Sequence, residues 1–299
     1  MHEIASALSG HNPLPSTLYE MLKSFSTVAS TLNVTHAANQ LPVTRQTIIR
    51  HIMELEELLD CKLFELVDRQ YALTKAGSDF VIPVNLLLNQ THFLFRESSK
   101  IVNGLSAIKA KIDGDYWYHA QRHPVVDIWT KAPPLIQHGM QAWVTAKSWL
   151  YSDAMDVIRP YLMVYRRYRD DWICVEIGEK SSYASWLGPD WAKSAIGLNF
   201  EDDPIKSDAD KFMLVAHENV ARTGSAWYEH ISTKFARVEG GELIPINYQK
   251  LITPIRFPNG QPGITVLVAR TNNVEISIGG ELLKNMPLMP EKDIMEFDI

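Results

Sequence analysis

Hydrophobic positions in the first eighty residues recur at helical spacing. Leu18, Met21, Leu22, Phe25 and Val28 form one stripe and predict an amphipathic helix over Thr17 to Ser30. Asn33 is placed to cap a short helix over Val34 to Gln40, in which Ala37 and Ala38 are small enough for a close helix crossing. Leu41-Pro42-Val43 makes a turn, and Thr44 caps a longer helix from Arg45 to about Leu59. Its inward face is Ile48, Ile52, Leu55 and Leu59. Its outward face carries Arg45, Gln46, Thr47, Arg50 and His51 near the start, with Glu54, Glu56, Glu57 and Asp60 at the far end. Leu63-Phe64 and Tyr71 to Thr74 then read as two short strands with Asp68-Arg69-Gln70 at the tip.

Two helices, a tight turn and a following hairpin are the elements of a winged helix-turn-helix. In such a module the first turns of the second helix enter the major groove. There Arg grips guanine and Gln grips adenine through paired hydrogen bonds. The bland reading of the same pattern is a three-helix core with a polar outer face.

The residues of this stretch resemble the LysR-type transcriptional regulators over about positions 17–77. The resemblance rests on Ala37-Ala38 followed by Leu41, on Leu55-Glu56 at the end of the longer helix, on Leu63-Phe64, and on Leu73-Thr74-Lys75-Ala76-Gly77. It implies a DNA interface at Thr44, Arg45, Gln46, Thr47, Arg50 and His51, with Arg69 on the wing and Thr74 and Lys75 beside it. The chain departs from the family pattern at Ile49, where Ser is usual, at Leu66, where Arg is usual, and at Gln46-Thr47, where Pro-Ala is usual.

From Lys75 to about Lys111 the apolar residues Phe80, Val81, Val84, Leu87, Leu88 and Phe95 continue a helical stripe, with Pro83 as a kink or early-turn residue. A helix with this much Leu and Val on a small domain needs a partner surface. The resemblance implies that a second copy supplies it, giving a homodimer or higher homo-oligomer and a pseudo-palindromic site on double-stranded DNA. Packing onto the chain's own C-terminal half is the alternative.

Beyond residue 112 the pattern changes. Asp115 to Tyr151 is rich in Trp, His and Pro, with helix expected around Pro134 to Ser152. Tyr161 to Arg166 and Trp172 to Ile177 are strand candidates. Short helices follow at Ser182 to Leu187 and Asp208 to Arg222. Three more strands are expected at Trp227 to Arg237, Leu243 to Pro254 and Ile264 to Arg270, joined by glycine-containing turns. Strand alternation with helices, as a LysR-type effector domain requires, is not visible here. Two strands, short helices and three antiparallel strands resemble a PAS domain over about residues 155–275. That resemblance implies a ligand cavity between sheet and helices. Trp172, Tyr183, Trp186, Trp227, His230 and Tyr248 are its candidate lining, and the ligand or cofactor is unknown. A divergent LysR effector domain is the alternative.

The expected fold class is therefore α+β: a winged helix-turn-helix (14–77), a long linker helix (78–112), a helical connector (113–158), a PAS-like antiparallel sheet with flanking helices (159–275) and a C-terminal tail (276–299). The net charge of −6 argues against whole-chain polyanion binding but not against one DNA-reading face. The start of the sequence has no basic region followed by an apolar core, and no apolar run is long enough for a membrane span, so a cytoplasmic protein with no membrane partner is expected. Cys61 and Cys174 are the two cysteines and make no disulfide framework.

Enzyme chemistry finds no foothold. There is no phosphate loop, no spaced carboxylate pair, and Thr223 to Trp227 lacks the second glycine of a nucleophile elbow. His119 and His123 would share a helix face at i, i+4, but no third metal ligand accompanies them. The expected function is a DNA-binding transcription regulator that senses a small-molecule or cofactor signal. The competing reading is a dimeric interaction protein that has stopped reading DNA.

Overall fold

The computed structural model describes residues 14–67, 70–95, 99–102, 104–112, 116–168, 171–199, 210–238, 240–278, 281–283 and 286–297. The chain divides into two compact units, residues 1–92 and 93–299.

The first unit opens with α1 (Leu18–Thr31), α2 (Val34–Gln40) and α3 (Arg45–Leu59). Both expected caps form. Asn33 accepts the N–H groups of Thr35 and His36, and Thr44 accepts that of Thr47. Each cap satisfies donors that a helix start leaves orphaned. Met21, Phe25 and Val28 of α1 meet Ala37 of α2 and Ile48 and Leu55 of α3 in one buried cluster. Strands β1 (Phe64–Val67) and β2 (Gln70–Leu73) pair antiparallel with Phe64 opposite Leu73, which is the wing. Phe25 lies 5.5 Å from Phe64, ring to ring, tying the wing to α1.

Helix α4 (Lys75–Phe95) follows directly. It ends well short of Lys111, where the sequence pattern placed the end of the linker. Part of its apolar stripe is spent within its own unit: Val81, Val84 and Leu88 are buried in the same cluster as α1 to α3. Leu87 faces away and is 47% exposed.

The second unit is built on an eight-stranded antiparallel sheet. Its strands are β3 (Ser99–Val102), β4 (Leu105–Ile112), β5 (Tyr116–Arg122), β6 (Leu162–Tyr168), β7 (Asp171–Ile177), β8 (Trp227–Phe235), β9 (Ile244–Arg256) and β10 (Pro262–Arg270). Their spatial order is β3-β4-β5-β8-β9-β10-β6-β7. Where the sequence pattern placed the end of a linker helix and the start of a helical connector, β3, β4 and β5 are strands. The period of two was present in Ile108, Ala110 and Ile112 against Lys109 and Lys111.

Alternation along β9 shows how the sheet divides space. Ile246, Tyr248 and Ile252 face one side, and Leu251 and Ile255 the other. Against the second side pack α5 (Ile128–Lys131) and α6 (Pro134–Thr145), with Ile136 and Met140 meeting Leu251 and Leu267. A Cβ at Gly139 would lie 2.2 Å from a Leu267 methyl, so α6 sits close on β10 because that position has no side chain. The other face is covered by α7 (Ser182–Leu187), α8 (Pro189–Ala195) and α9 (Asp210–Thr223).

The segment after β10, expected to be a tail, is an integral part of this unit. It contains the short hairpin β11 (Ser277–Ile278) and β12 (Glu281–Leu282). Met289 is buried beside Tyr118 and Trp186, and the Met295 N–H donates to the Arg270 carbonyl at 3.0 Å. Among the described residues no helix is long and apolar enough to cross a membrane.

Candidate functional site

Two sites stand out, one in each unit. The first is the start of α3. Arg45, Gln46 and Arg50 are exposed there, beside the capped N-terminus of the helix. The Thr44 hydroxyl lies 2.9 Å from the Thr47 hydroxyl and receives the Thr47 N–H at 3.2 Å, so both threonines are held by the cap. Arg50 makes a loose i, i+4 contact with Glu54 at 3.7 Å, both side chains largely in solvent. Such a pair contributes little and yields readily to a phosphate or a base.

His51 does not belong to this surface. It is buried, and its Nδ1 lies 2.8 Å from the Ser24 hydroxyl on α1. Counting from Ile48 and Leu55, position 51 falls on the inward face at spacings of three and four, which is the signal that its polarity obscured. Thr74 is engaged as a cap of α4: its hydroxyl donates to the Lys62 carbonyl at 2.6 Å and accepts the Gly77 N–H at 3.0 Å. Lys75 is exposed and pairs with Asp79 at 2.8 Å, which pulls its ammonium above the ordinary lysine range. Arg69 lies outside the described residues. Of the unusual positions, Ile49 packs partly against the helical core and Leu66 stands 68% exposed on the wing.

Two residues of the signature have structural duties. Glu56 is buried at the end of α3 and accepts the Leu63 N–H at 2.9 Å and the Phe64 N–H at 3.3 Å, while Lys62 reaches its other oxygen at 2.6 Å. Burial opposes its charge, but the Lys62 ammonium and the two N–H groups together hold its carboxyl below the usual range. At Gly77 a Cβ would stand 2.0 Å from the Leu63 carbonyl oxygen. Glu56 locks the end of α3 to the root of the wing, and Gly77 lets the start of α4 approach the same root closely.

The second site is a cavity of about 140 Å³ between the sheet and helices α7 and α9. Tyr183, Trp186 and Tyr248 line it, together with Val266, His217 and Lys250. Trp172 and Trp227 belong to the adjoining core cluster on the same side of the sheet. His230 is on the opposite side: its Nε2 lies 2.7 Å from the Tyr228 hydroxyl, and its ring stacks on His123. Burial, and then the Lys250 charge, depress His217 to about 3, so it lines the cavity as a neutral ring.

Lys250 and Glu229 were not singled out by sequence. They sit directly opposite on β9 and β8, with Nζ and Oε1 2.6 Å apart and both side chains buried. A signal existed, because each interrupts an apolar stripe of period two, Lys250 between Tyr248 and Ile252 and Glu229 between Trp227 and Ile231.

His119 and His123 are not on a helix. His119 is on β5 and His123 immediately follows it. Burial, with the Lys109 charge, lowers His119 to about 4. No cluster of three or more metal-ligating side chains occurs among the described residues.

Three helices with a capped, arginine-bearing third helix and a two-stranded wing define the first unit as a winged helix-turn-helix. Its residues 19–78 match the family model described as bacterial regulatory helix-turn-helix protein, lysR family, and this stretch is a domain of that family. Solved structures with a likeness include the CbnR DNA-binding domain in complex with DNA, at 31% identity over 27% of this chain and 92% of that one, TM-score 0.25. The BenM DNA-binding domain with catB site 1 DNA is 27% identical over 26% of this chain and 88% of that one, TM-score 0.25. A hydrogen-peroxide-bound mutant of Corynebacterium glutamicum OxyR is 21% identical over 29% of this chain, TM-score 0.27. The match spans 26% of the length of that OxyR chain. No curated protein matches this chain.

Proposed function

We propose that this protein is a DNA-binding transcription regulator in which α3 reads the major groove and the C-terminal unit senses a small molecule. The observation that carries the reading is the lysR-family helix-turn-helix at residues 19–78 with Arg45, Gln46 and Arg50 exposed at its capped helix start. Free N–H groups at that start favour phosphate, and the two arginines add sequence reading. The acidic residues of α3 are Glu54, Glu56 and Glu57, away from the helix start, and of these only Glu54, through a loose, exposed contact, competes for Arg50.

The arrangement of the second unit supports a PAS-like sensor. Strands β6 and β7 precede the helices, β8 to β10 follow them, and β6 closes beside β10 with the cavity between sheet and helices. A second copy joined through α4 would present two recognition helices to one face of DNA. Ligand in the cavity then acts by favouring one spacing of those helices over another, which requires different affinity for the two states.

Selection of bound fragments from a random duplex pool, with wild type and Arg50→Ala at several salt concentrations, tests the reading. A two-fold motif with half-sites one helical turn or a multiple apart, weakened in the variant, is the expected result. No enrichment by wild type at low salt, with and without small-molecule extracts, favours an interaction protein instead.

A further inference from the structure

The pairing of strands lines up three charges. Arg122 on β5 is directly opposite Glu229 on β8, and Glu229 is directly opposite Lys250 on β9. Residues opposite each other in an antiparallel pair point to the same side of the sheet, here the side of the cavity. The next partner in the row is Val268 on β10, which lines that cavity with Lys250. One carboxylate therefore stands between two cations.

Both oxygens of the carboxylate are engaged. Glu229 Oε1 is 2.6 Å from Lys250 Nζ, and Oε2 accepts the Trp227 indole N–H at 2.7 Å. Arg122 lies over the Trp227 ring at 4.2 Å. Lys250 is 1% exposed, carries three N–H donors, and has Glu229 as its ion-pair partner among the described residues. A buried ammonium with donors to spare is costly unless a further acceptor meets it. Trp186, also in the lining, is flanked by Arg237 and Arg270 at 4.1 and 5.5 Å; Arg237 pairs with the Asp293 carboxylate, and Arg270 donates to the Asp293 backbone carbonyl. The row Arg122, Glu229 and Lys250 thus carries one positive charge in excess beside an otherwise apolar chamber.

Size narrows the ligand. An apolar cavity of about 150 Å³ accepts one benzene ring, and this one measures about 140 Å³. We propose that the cavity binds a hydrophobic monocarboxylate of single-ring size, its carboxylate on Lys250 and its ring among Trp186, Tyr248, Val266 and Val268. This rests on the reading of the C-terminal unit as a sensor and names the chemical class it senses. The neutral His217 ring on α9 and the Tyr248 ring on β9 are also part of the lining.

The test is calorimetric titration of the full chain, without DNA, using benzoate, benzamide and toluene as probes. Benzoate should bind saturably and more tightly than either neutral probe by about tenfold or more, as a charge-assisted hydrogen bond implies. Replacing the ion pair as a unit, Glu229→Gln with Lys250→Met, should remove that preference while toluene binding persists. If circular dichroism shows that this double variant does not fold, Val268→Phe fills the cavity without touching a charge and should abolish benzoate binding. Toluene binding without benzoate binding would overturn the carboxylate assignment and leave the chamber as an apolar sensor site. No binding of any probe, or benzoate binding unaltered in both variants, would overturn the site itself. Failure of the regulator reading shows separately, as absence of DNA enrichment.

Discussion

The rings of His123 and His230 stack with centroids 3.8 Å apart and planes 27° apart. His230 accepts the Glu275 N–H at Nδ1, at 2.9 Å, so in its neutral form Nε2 carries the proton and donates to the Tyr228 hydroxyl at 2.7 Å. Tyr228 in turn donates to Gln249 at 2.5 Å. His123 donates from Nε2 to the Glu275 carbonyl at 2.8 Å. Burial, then the facing His123 ring, depress His230 to about 3, and burial lowers His123 despite nearby Glu275 and Asp127.

A pH dependence follows. An unfolded histidine titrates near ~6.5, so below that value the unfolded chain takes up protons that the folded one refuses until about 3. The stabilisation from His217 and His230 is fully present above the unfolded value and is lost as pH falls through this window. All eight tryptophans lie in the second unit, so their fluorescence follows its unfolding alone. Its melting temperature should drop between pH 7 and pH 5. His230→Gln should flatten that dependence by at most about 1.4 kcal/mol per pH unit. A melting temperature indifferent to pH over this range would refute the buried neutral state.

Neighbouring positions on α3 should separate DNA reading from folding. Arg50→Ala removes an exposed side chain and should cost specific DNA affinity about 1–3 kcal/mol with no loss of stability. His51→Ala removes the partner of Ser24 from the core and should lower stability with little effect on the sequence preferred. Anisotropy titrations on the selected site, paired with amide exchange of α1 and α3, check both. The assignment of the reading face fails if the two variants exchange behaviour.

The junction of α3 with the wing should be intolerant of change. Glu56→Gln weakens charge-assisted hydrogen bonds to Leu63 and Phe64 and leaves Lys62 without its anion. Amide exchange in α3 should accelerate roughly tenfold or more, the counterpart of about 1.5–3 kcal/mol. Gly77→Ala meets a backbone oxygen and should cost on the order of 1–3 kcal/mol.

Leu87 is an exposed apolar residue of α4. If α4 joins two copies, Leu87→Glu should shift the protein toward monomer in sedimentation equilibrium and reduce affinity for a two-fold DNA site. An unchanged mass distribution would move the dimer interface elsewhere.

How far the sequence carried depended on whether a signal was local. The caps at Asn33 and Thr44 and helix α7 at Ser182 to Leu187 form where expected, because each is decided by residues within a turn or two. Strands β6 to β10 also lie within a residue or two of the alternation that predicts them. Strands β3 to β5 were missed because Leu105 to Ile112 follows an apolar helix and mixes Ala and Lys with Ile, residues as much at home in either period. What decides for strand is the docking of β5 on β8, with Ala120 opposite Ile231. His51 and Lys250 were misread or passed over for one reason: a polar residue on an apolar face shows its purpose only once Ser24 and Glu229 stand beside it.

The pairing of β6 with β10 sets the schedule of folding. Leu162 finds its neighbour at Leu267, so the sheet cannot close until more than a hundred further residues have left the ribosome. The helix-turn-helix lies wholly within the compact unit that ends at residue 92. During synthesis the chain therefore holds a complete helix-turn-helix while its C-terminal unit is still an open, unpaired set of strands, and it is that unit which carries the risk of misassembly in the interval.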